Sequence, residues 1–143
     1  MRKYFLISVV GWMIFCSAAS AELVDNTDGT VTDTQTGLMW QQAEAGSMNW
    51  EAALTYCEDL ELAGYDDWRL PNRNELQSIV DYSKFNPSVD TVAFPDALSC
   101  YYWSSTTFAA NPGYAWRVNF YSGYVYYCHK SLSHYVRAVR GGQ

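Results

Sequence analysis

Cysteine and histidine side chains are the residues of this chain best suited to chemistry, and most of them lie in its C-terminal third. His129 and His134 are the only histidines, and Cys100 and Cys128 lie in the same segment. Such groups act as nucleophiles, redox thiols or general bases when a partner activates them. No serine elbow, paired-carboxylate motif, H-E-x-x-H or glycine-rich phosphate loop accompanies them. The sequence therefore predicts no catalytic residue, and we interpret each histidine as a surface contact.

The same segment, from Cys100 to Tyr135, is dominated by aromatic residues. An antiparallel hairpin buries only one face, so part of this aromatic surface must point outward. Tyrosine, arginine and histidine are favoured in binding surfaces, although half-buried rim positions alone would explain roughly half of the tyrosines. We predict a ligand-binding surface here. Its residues are Tyr101, Tyr102, Phe108, Tyr114, Arg117, Tyr121, Tyr124, Tyr126, Tyr127, His129 and His134.

Alternating polarity indicates that strands position this surface. The inward residues of one strand are Trp116, Val118 and Phe120, and the outward residues are Arg117, Asn119 and Tyr121. Ser122 and Gly123 supply a turn into a second strand. The tryptophans predicted to hold the scaffold rigid beneath the surface are Trp50, Trp68, Trp103 and Trp116.

Two helices are predicted before the aromatic segment. Apolar residues recur at helical spacing from Trp50 to Leu60, with Asn49 as the N-cap and Gly64 as the stop signal. Asn72 and Glu75 have the spacing of a capping box, which starts a second helix. The residues of that helix that face inward are Leu76, Ile79 and Val80.

The N-terminus has the features of a secretory signal, with cleavage expected after Ala21. Its apolar run is too short for a good membrane span, and the bulky residue before Cys16 fits a lipoprotein signal poorly. Residues 22–143 then form a single domain, predicted to be periplasmic, secreted or at the cell surface. Removing Arg2 and Lys3 leaves seven basic residues against 15 acidic ones, a net charge of about −8. This charge argues against nucleic acid or anionic lipid as the main partner.

Cysteine and carboxylate spacing predicts neither a metal site nor a cofactor. The exported chain would hold an odd number of cysteines with no C-x-x-C pair, so a structural zinc site is not expected. Cys57 falls on the buried face of the first helix, either as a core residue or as half of a bridge to a strand. The acidic cluster Asp25, Asp28 and Asp33 lacks the alternating oxygen ligands of a calcium loop and is typical of turns.

Four segments together resemble one bacterial family. They are GTVTDTQTGLMW, AGYDDWRLPNRNEL, YWSSTT and YVRAVRGG, in this order. The chain resembles the exported DUF1566 family, also called the Lcl C-terminal domain. The resemblance implies an α+β, C-type-lectin-like fold related to formylglycine-generating enzymes, with two helices on antiparallel sheets and paired N- and C-terminal strands. Family members resemble adhesins and binders of carbohydrate or glycosaminoglycan.

Two departures from that resemblance limit what it implies. The Glu-Pro-Asn, Gln-Pro-Asp and Trp-Asn-Asp motifs of calcium-dependent lectins are absent, so calcium chelation of sugar is not expected. Relatives often carry cysteine where this chain has Ala138, which would leave Cys57 without its partner. A disulfide between Cys100 and Cys128 is still an alternative, although the hairpin register gives it no support.

Some relatives with this C-terminal pattern are diversified by retroelements that rewrite adenines in codons such as AAC. In this segment, residue types that such rewriting can produce from an AAC codon alternate with residues of a constant framework. One hypothesis is therefore a variable receptor, and the other is a fixed binder. The candidate variable positions are Cys100, Tyr101, Tyr102, Phe108, Tyr114, Arg117, Tyr121, Ser122, Tyr124, Tyr126, Tyr127, Cys128, His129, Leu132, Ser133 and His134.

The sequence as a whole favours a non-enzymatic, adhesin-like module that recognises a glycan, a glycosaminoglycan or a surface protein. One alternative is an enzyme on the related formylglycine-generating fold with Cys100 or Cys128 as a redox thiol. Another is an envelope protein that self-associates. The sequence leaves the oligomeric state open.

Overall fold

Two β-sheets and two short helices make up the fold, and the computed structural model describes residues 22–142. The predicted signal peptide lies outside the described residues. In chain order the elements are β1 (Leu23–Asp25), β2 (Thr30–Asp33), β3 (Met39–Gln41), β4 (Ser47–Met48), α1 (Trp50–Glu58), α2 (Arg73–Ser78), β5 (Tyr101–Thr107), β6 (Tyr114–Asn119), β7 (Val125–His129), β8 (His134–Tyr135) and β9 (Val139–Arg140). The architecture is of the α+β class, as predicted.

The first sheet joins both ends of the described chain in the order β1-β2-β3-β9. Trp40 on β3 pairs with Val31 on one side and with Val139 on the other, and all three side chains are fully buried. The predicted pairing of N- and C-terminal strands therefore occurs between β3 and β9, whereas β1 pairs only with β2. Trp40 is a central core residue that the sequence reading did not single out.

Carboxylates of the acidic cluster hold the turns around β2. Asp25 accepts a hydrogen bond from Thr27 N at 2.8 Å, and Asp28 accepts one from Thr30 N at 3.0 Å. Asp33 accepts one from Gln35 N at 2.9 Å. The prediction of turn chemistry for this cluster is confirmed. Within residues 22–142 no group of three or more His, Cys, Asp or Glu side chains is arranged to hold a metal ion.

The second sheet carries the aromatic segment, in the order β4-β8-β5-β6-β7. Its neighbours are antiparallel except for β5 and β8, which run parallel where Tyr102 pairs with Tyr135. A register shift interrupts the β5–β6 pairing between Trp103 and Thr107. Because β7 is the last strand in this order, its outer edge has no neighbouring strand among the described residues.

Both predicted helices are present, and both start where the sequence indicated. The Asn49 side chain caps α1 by accepting from Ala52 N at 2.9 Å, and Asn72 with Glu75 forms the capping box of α2. Helix α1 ends at Glu58, before the predicted Leu60. Gly64 belongs to a separate tight turn, in which Leu62 and Tyr65 bond to each other.

The core is divided between two clusters on opposite sides of the second sheet. One joins α2 and the first sheet to Val118 and Phe120, and the other joins α1 to Trp103 and Ala115. Trp68 and Trp103 are buried as predicted, whereas Trp50 and Trp116 are only half-buried. Among residues 22–142, neither helix has the length and apolar character needed to cross a bilayer.

Two arginine–carboxylate pairs fasten the loop before α2 to the C-terminus. Arg69 donates to both oxygens of Glu75 at 2.6 and 2.7 Å and to Gly141 O at 2.8 Å. Arg140 donates to both oxygens of Asp67, at 2.6 and 3.0 Å. Asp67 and Arg69 therefore have structural roles, because each closes a two-pronged ion pair.

Candidate functional site

Adjacent residues of β6 point to opposite faces of the second sheet, so the predicted surface is divided. Trp116 pairs with Tyr127 on β7, and the next pair along is Arg117 with Tyr126. Successive side chains of a strand alternate between faces, so Trp116 and Arg117 lie on different sides, whereas the rings of Tyr126 and Tyr127 on the edge strand β7 stack on each other. The expectation that β6 has one buried and one outward face is wrong, because Ala115 and Val118 are both fully buried and core lies against both sides.

The first group of aromatic rings, here called the edge stack, consists of Phe108, Trp116, Tyr126 and Tyr127. The rings of Phe108 and Tyr127 are parallel, with centroids 4.0 Å apart, and Tyr126 stacks on Tyr127 at 4.8 Å. Trp116 meets Phe108 and Tyr127 edge-on at 5.4 and 5.5 Å. Offset stacks and edge-to-face pairs are favourable ring geometries, so the stack holds its own side chains in place.

Two further predicted residues extend the edge stack toward the start of β6. Tyr114 is paired with His129, and their rings meet edge-on at 5.2 Å. His129 is exposed, and its Nδ1 lies 2.7 Å from Ser131 Oγ. On the α2 side, the Arg73 guanidinium lies 4.7 Å from the Trp116 ring centre. A cation over a ring face adds to the packing of this half-buried tryptophan.

The second group, here called the arginine cluster, consists of Tyr101, Trp103, Arg117 and His134. The guanidinium of Arg117 lies 3.6 Å from the Tyr101 ring centre, and its Nη1 is 2.9 Å from His134 Nε2. Trp103 meets the His134 ring edge-on at 4.6 Å. Arg117 Nε is buried and has no hydrogen-bond partner among the described residues.

The electrostatics of the arginine cluster keep its histidine neutral. Burial, followed by the nearby Arg117 charge, lowers the pKa of His134 to about 4. The guanidinium can only donate, so His134 Nε2 accepts and its proton lies on Nδ1. No carboxylate among the described residues forms an ion pair with Arg117. A cation that faces aromatic rings without an acidic partner is suited to positioning polar or anionic groups.

The third group, here called the hairpin end, lies around the β6–β7 turn. Tyr121 is 42% exposed and Tyr124 is 73% exposed. Tyr121 meets Phe85 edge-on at 4.5 Å, and Tyr82 lies beside Gly123. Sequence reasoning did not single out Tyr82 and Phe85. The sequence signal that could have identified them is the presence of two aromatic side chains in the polar stretch 81–87, a loop with no predicted core of its own to bury them.

One predicted site residue is misassigned. Tyr102 is fully buried, and its hydroxyl accepts a hydrogen bond from Leu98 N at 3.0 Å. It packs on Phe120 and Tyr135 in the core. The prediction that Tyr102 contacts a ligand is wrong, because it lies on the inner face of β5 with no access to solvent.

The three described cysteines are free thiols. Cys57 is fully buried on α1, as predicted, and burial raises the pKa of its thiol to about 12. Such a thiol is protonated at neutral pH and is a poor nucleophile. Cys100 and Cys128 are half-buried and do not bridge, so the alternative of a disulfide between them is not realised.

A comparison with protein families finds a match over most of this fold. The family model of the Lcl C-terminal domain matches residues 29–140, which include the edge stack, the arginine cluster and the hairpin end. No curated protein matches the chain. The match covers well over half of the sequence, and the chain belongs to the Lcl C-terminal domain family.

Proposed function

We propose that this member of the Lcl C-terminal domain family is an exported, non-enzymatic binding module that contacts a glycan or a surface protein. The observation that carries the proposal is the exposure of two tyrosines on a sheet edge: Tyr124 is 73% exposed and Tyr126 is 53% exposed. Large aromatic side chains gain stability from burial, so adjacent exposed rings of this size favour an interaction surface.

The surroundings of Tyr126 support binding rather than loose exposure. Tyr126 stacks on Tyr127, which in turn stacks on Phe108, so ring orientations are fixed before any partner arrives. A preorganised side chain loses little conformational entropy on binding. Tyrosine also combines a flat apolar face with a hydroxyl, which suits both sugar rings and protein pockets.

The test of this proposal is a pair of single substitutions on the exposed edge. Tyr124→Ala and Tyr126→Ala should each weaken binding to glycan arrays or target cells by at least about tenfold, with unfolding free energies within about 0.5 kcal/mol of the parent. The matched control is Val92→Ala, which removes an 87% exposed apolar side chain outside the aromatic segment. Full binding by both tyrosine variants, or unfolding of the domain, would overturn the site assignment.

Two alternative functions are tested by separate experiments. Rapid alkylation of Cys100 or Cys128 with a depressed thiol pKa would favour a redox enzyme on the formylglycine-generating fold. Concentration-dependent sedimentation without a heterologous ligand would favour a self-associating envelope protein. Export itself is tested by N-terminal sequencing of the protein outside the cytoplasm, which should begin at Glu22.

A more specific version of the proposal is that the domain has a C-type-lectin-like architecture with a diversified binding surface. Of the sixteen candidate variable positions, fifteen are exposed or half-buried and only Tyr102 is fully buried. Variation at such positions changes contacts at little cost to the core. A near-copy of the segment encoding residues 100–134 beside the gene, with a reverse transcriptase, would support diversification. Flanking DNA without such a copy would leave a fixed binder.

A further inference from the structure

A shallow cleft at the hairpin end lies between two exposed tyrosines from distant parts of the chain. Tyr82, which follows α2, is 65% exposed, and Tyr124, which precedes β7, is 73% exposed. The cleft has a volume of about 470 Å³. This lies within the range of about 300–1,000 Å³ that is usual for small-ligand sites. The residues that line it are Gln77, Tyr82, Ser122, Gly123, Tyr124 and Val125.

Backbone hydrogen bonds hold the Tyr82 loop against the hairpin. Ser88 N donates to Phe120 O at 2.6 Å, and Asn86 N donates to Tyr121 O at 3.0 Å. Because these bonds join the loop to residues just before the turn, the backbone segments that carry the two walls are held together without a ligand. A preformed cleft lowers the entropic cost of binding.

The floor of the cleft is a glycine backbone that admits no side chain. A Cβ on Gly123 would lie 2.6 Å from Val80 Cγ1 and 2.7 Å from Tyr82 Cε1. Its φ of +83° also favours glycine. On the Tyr82 wall, the Gln77 amide donates to the tyrosine hydroxyl at 2.9 Å. The Tyr82 ring is thus fixed from below by the glycine and at its tip by the amide.

The lining chemistry selects the class of ligand. None of the six lining residues is charged, while the whole chain carries 15 acidic and nine basic residues, a net charge of −6. An acidic protein with a neutral cleft offers no attraction to an anion and no carboxylate for a cation. Tyrosine walls complement the C–H faces of a sugar ring. Polar groups for its hydroxyls are available from the tyrosines, from Gln77 and from Ser122, whose hydroxyl bonds to no other described residue.

We infer that this cleft binds a neutral pyranose ring between Tyr82 and Tyr124. The inference deepens the proposed function, on which it rests: it names an uncharged sugar as the ligand and adds a wall residue from outside the aromatic segment. An anionic saccharide such as a glucuronide is the wrong ligand for this cleft, since nothing that lines it compensates a negative charge.

The experiment is a titration of the purified, ¹⁵N-labelled protein with methyl glucoside, methyl galactoside, methyl mannoside and methyl glucuronide. At least one neutral glycoside should shift the amide signals of Ser122 and Gly123 saturably, and the glucuronide should bind more weakly. Tyr82→Ala should weaken that binding by at least about tenfold. Tyr124→Ala provides a second variant should Tyr82→Ala lose its dispersed spectrum.

The matched control is Val92→Ala, because Val92 is an 87% exposed apolar residue that lies outside all three groups and does not line the cleft. It should bind the glycoside like the parent. The inference is overturned if no neutral glycoside shifts these amides, if Val92→Ala weakens binding as much as Tyr82→Ala, or if the glucuronide binds most tightly.

A comparison with Tyr126→Ala separates this inference from the proposed function, because Tyr126 lies outside the cleft. If a glycan that binds the parent on an array no longer binds Tyr126→Ala but still binds Tyr82→Ala, the proposed surface on β7 is supported and the cleft is overturned. If Tyr82→Ala abolishes glycoside binding while Tyr126→Ala changes no binding at all, the cleft stands and the β7 surface is overturned.

Discussion

Arg137 and Arg117 both lie against aromatic rings, but the two regions balance the arginine charge differently. Arg137, beside the first sheet, has a fully buried side chain that donates to the carbonyls of Gln41 and Gln42 and pairs with Asp96 at 3.3 Å. Burial lowers the pKa of Arg137, and the Asp96 charge opposes that shift. Arg117, in the second sheet, has Tyr101 and neutral His134 as its neighbours and no acidic partner among residues 22–142.

The difference separates a scaffold from a surface available for binding. Around Arg137 and the Arg69–Glu75 pair, carboxylates and carbonyls already accept hydrogen bonds from the guanidinium groups. These arginines therefore have few donors left for an external partner. Around β5, β6 and β7 the rings contact one another, and Arg117 has no carboxylate partner among residues 22–142, although the Nε atoms of Arg117 and Arg137 are both buried without a hydrogen-bond partner there. A guanidinium whose charge no carboxylate balances is the one that a polar or anionic ligand can engage.

The largest expected effect comes from comparing two tryptophans of the second sheet, one fully buried and one half-buried. Trp103 is fully buried and donates to Met48 O at 3.1 Å, so Trp103→Ala should cost ~3–5 kcal/mol of unfolding free energy. Trp116 is half-buried in the edge stack, and Trp116→Ala should cost about 2 kcal/mol. Denaturant unfolding of both variants checks this. Equal losses would mean that the edge stack is part of the core.

An intermediate effect is expected from replacing the two arginines by methionine, which keeps an apolar stem. Arg137→Met leaves the carbonyls of Gln41 and Gln42 without their donor and should cost about 3 kcal/mol. Arg117→Met loses a ring contact and one hydrogen bond and should cost about 1 kcal/mol. Thermal and denaturant unfolding measure both. A larger loss for Arg117→Met would contradict the distinction between the two regions.

The third comparison is a difference in how the two regions respond to pH. Burial raises the pKa of Glu44 from 4.5 to about 7, so its contribution to stability is present below about pH 4.5 and is lost as pH rises through 7. His134 has its pKa lowered from 6.5 to about 4, so its contribution is present above about pH 6.5 and is lost as pH falls through 4.

Single substitutions separate these opposite trends. Glu44→Gln should become more stable relative to the parent as pH rises from 4.5 to 7, and His134→Gln should lose less stability than the parent on acidification. Unfolding free energies measured across this pH range, with Val92→Ala as the control, check both signs. Parallel pH profiles for parent and Glu44→Gln would show that this carboxyl is ionised normally in the folded protein.

Local signals in the sequence predicted the helices, their caps and the turns. Asn49, Asn72 and Glu75 act within three residues of their partners, so spacing alone identifies them. The burial of Cys57, Val118 and Phe120 also followed from periodicity. Tyr102 and Trp116 were misassigned because period-two alternation assumes one buried face, whereas core lies against both sides of this sheet.

The sequence by itself determined the α+β class, the family and the segment that carries most of the exposed aromatic surface. Composition and short-range spacing are sufficient for these, since they depend on residues close together in the chain. Only the tertiary structure decided how that surface is divided. Strand register places Tyr127 opposite Trp116 and Tyr126 opposite Arg117, and backbone bonds from the loop at 86–88 bring Tyr82 beside Gly123, 41 positions away. Such contacts depend on which strands pair and in what register, and one sequence does not specify them.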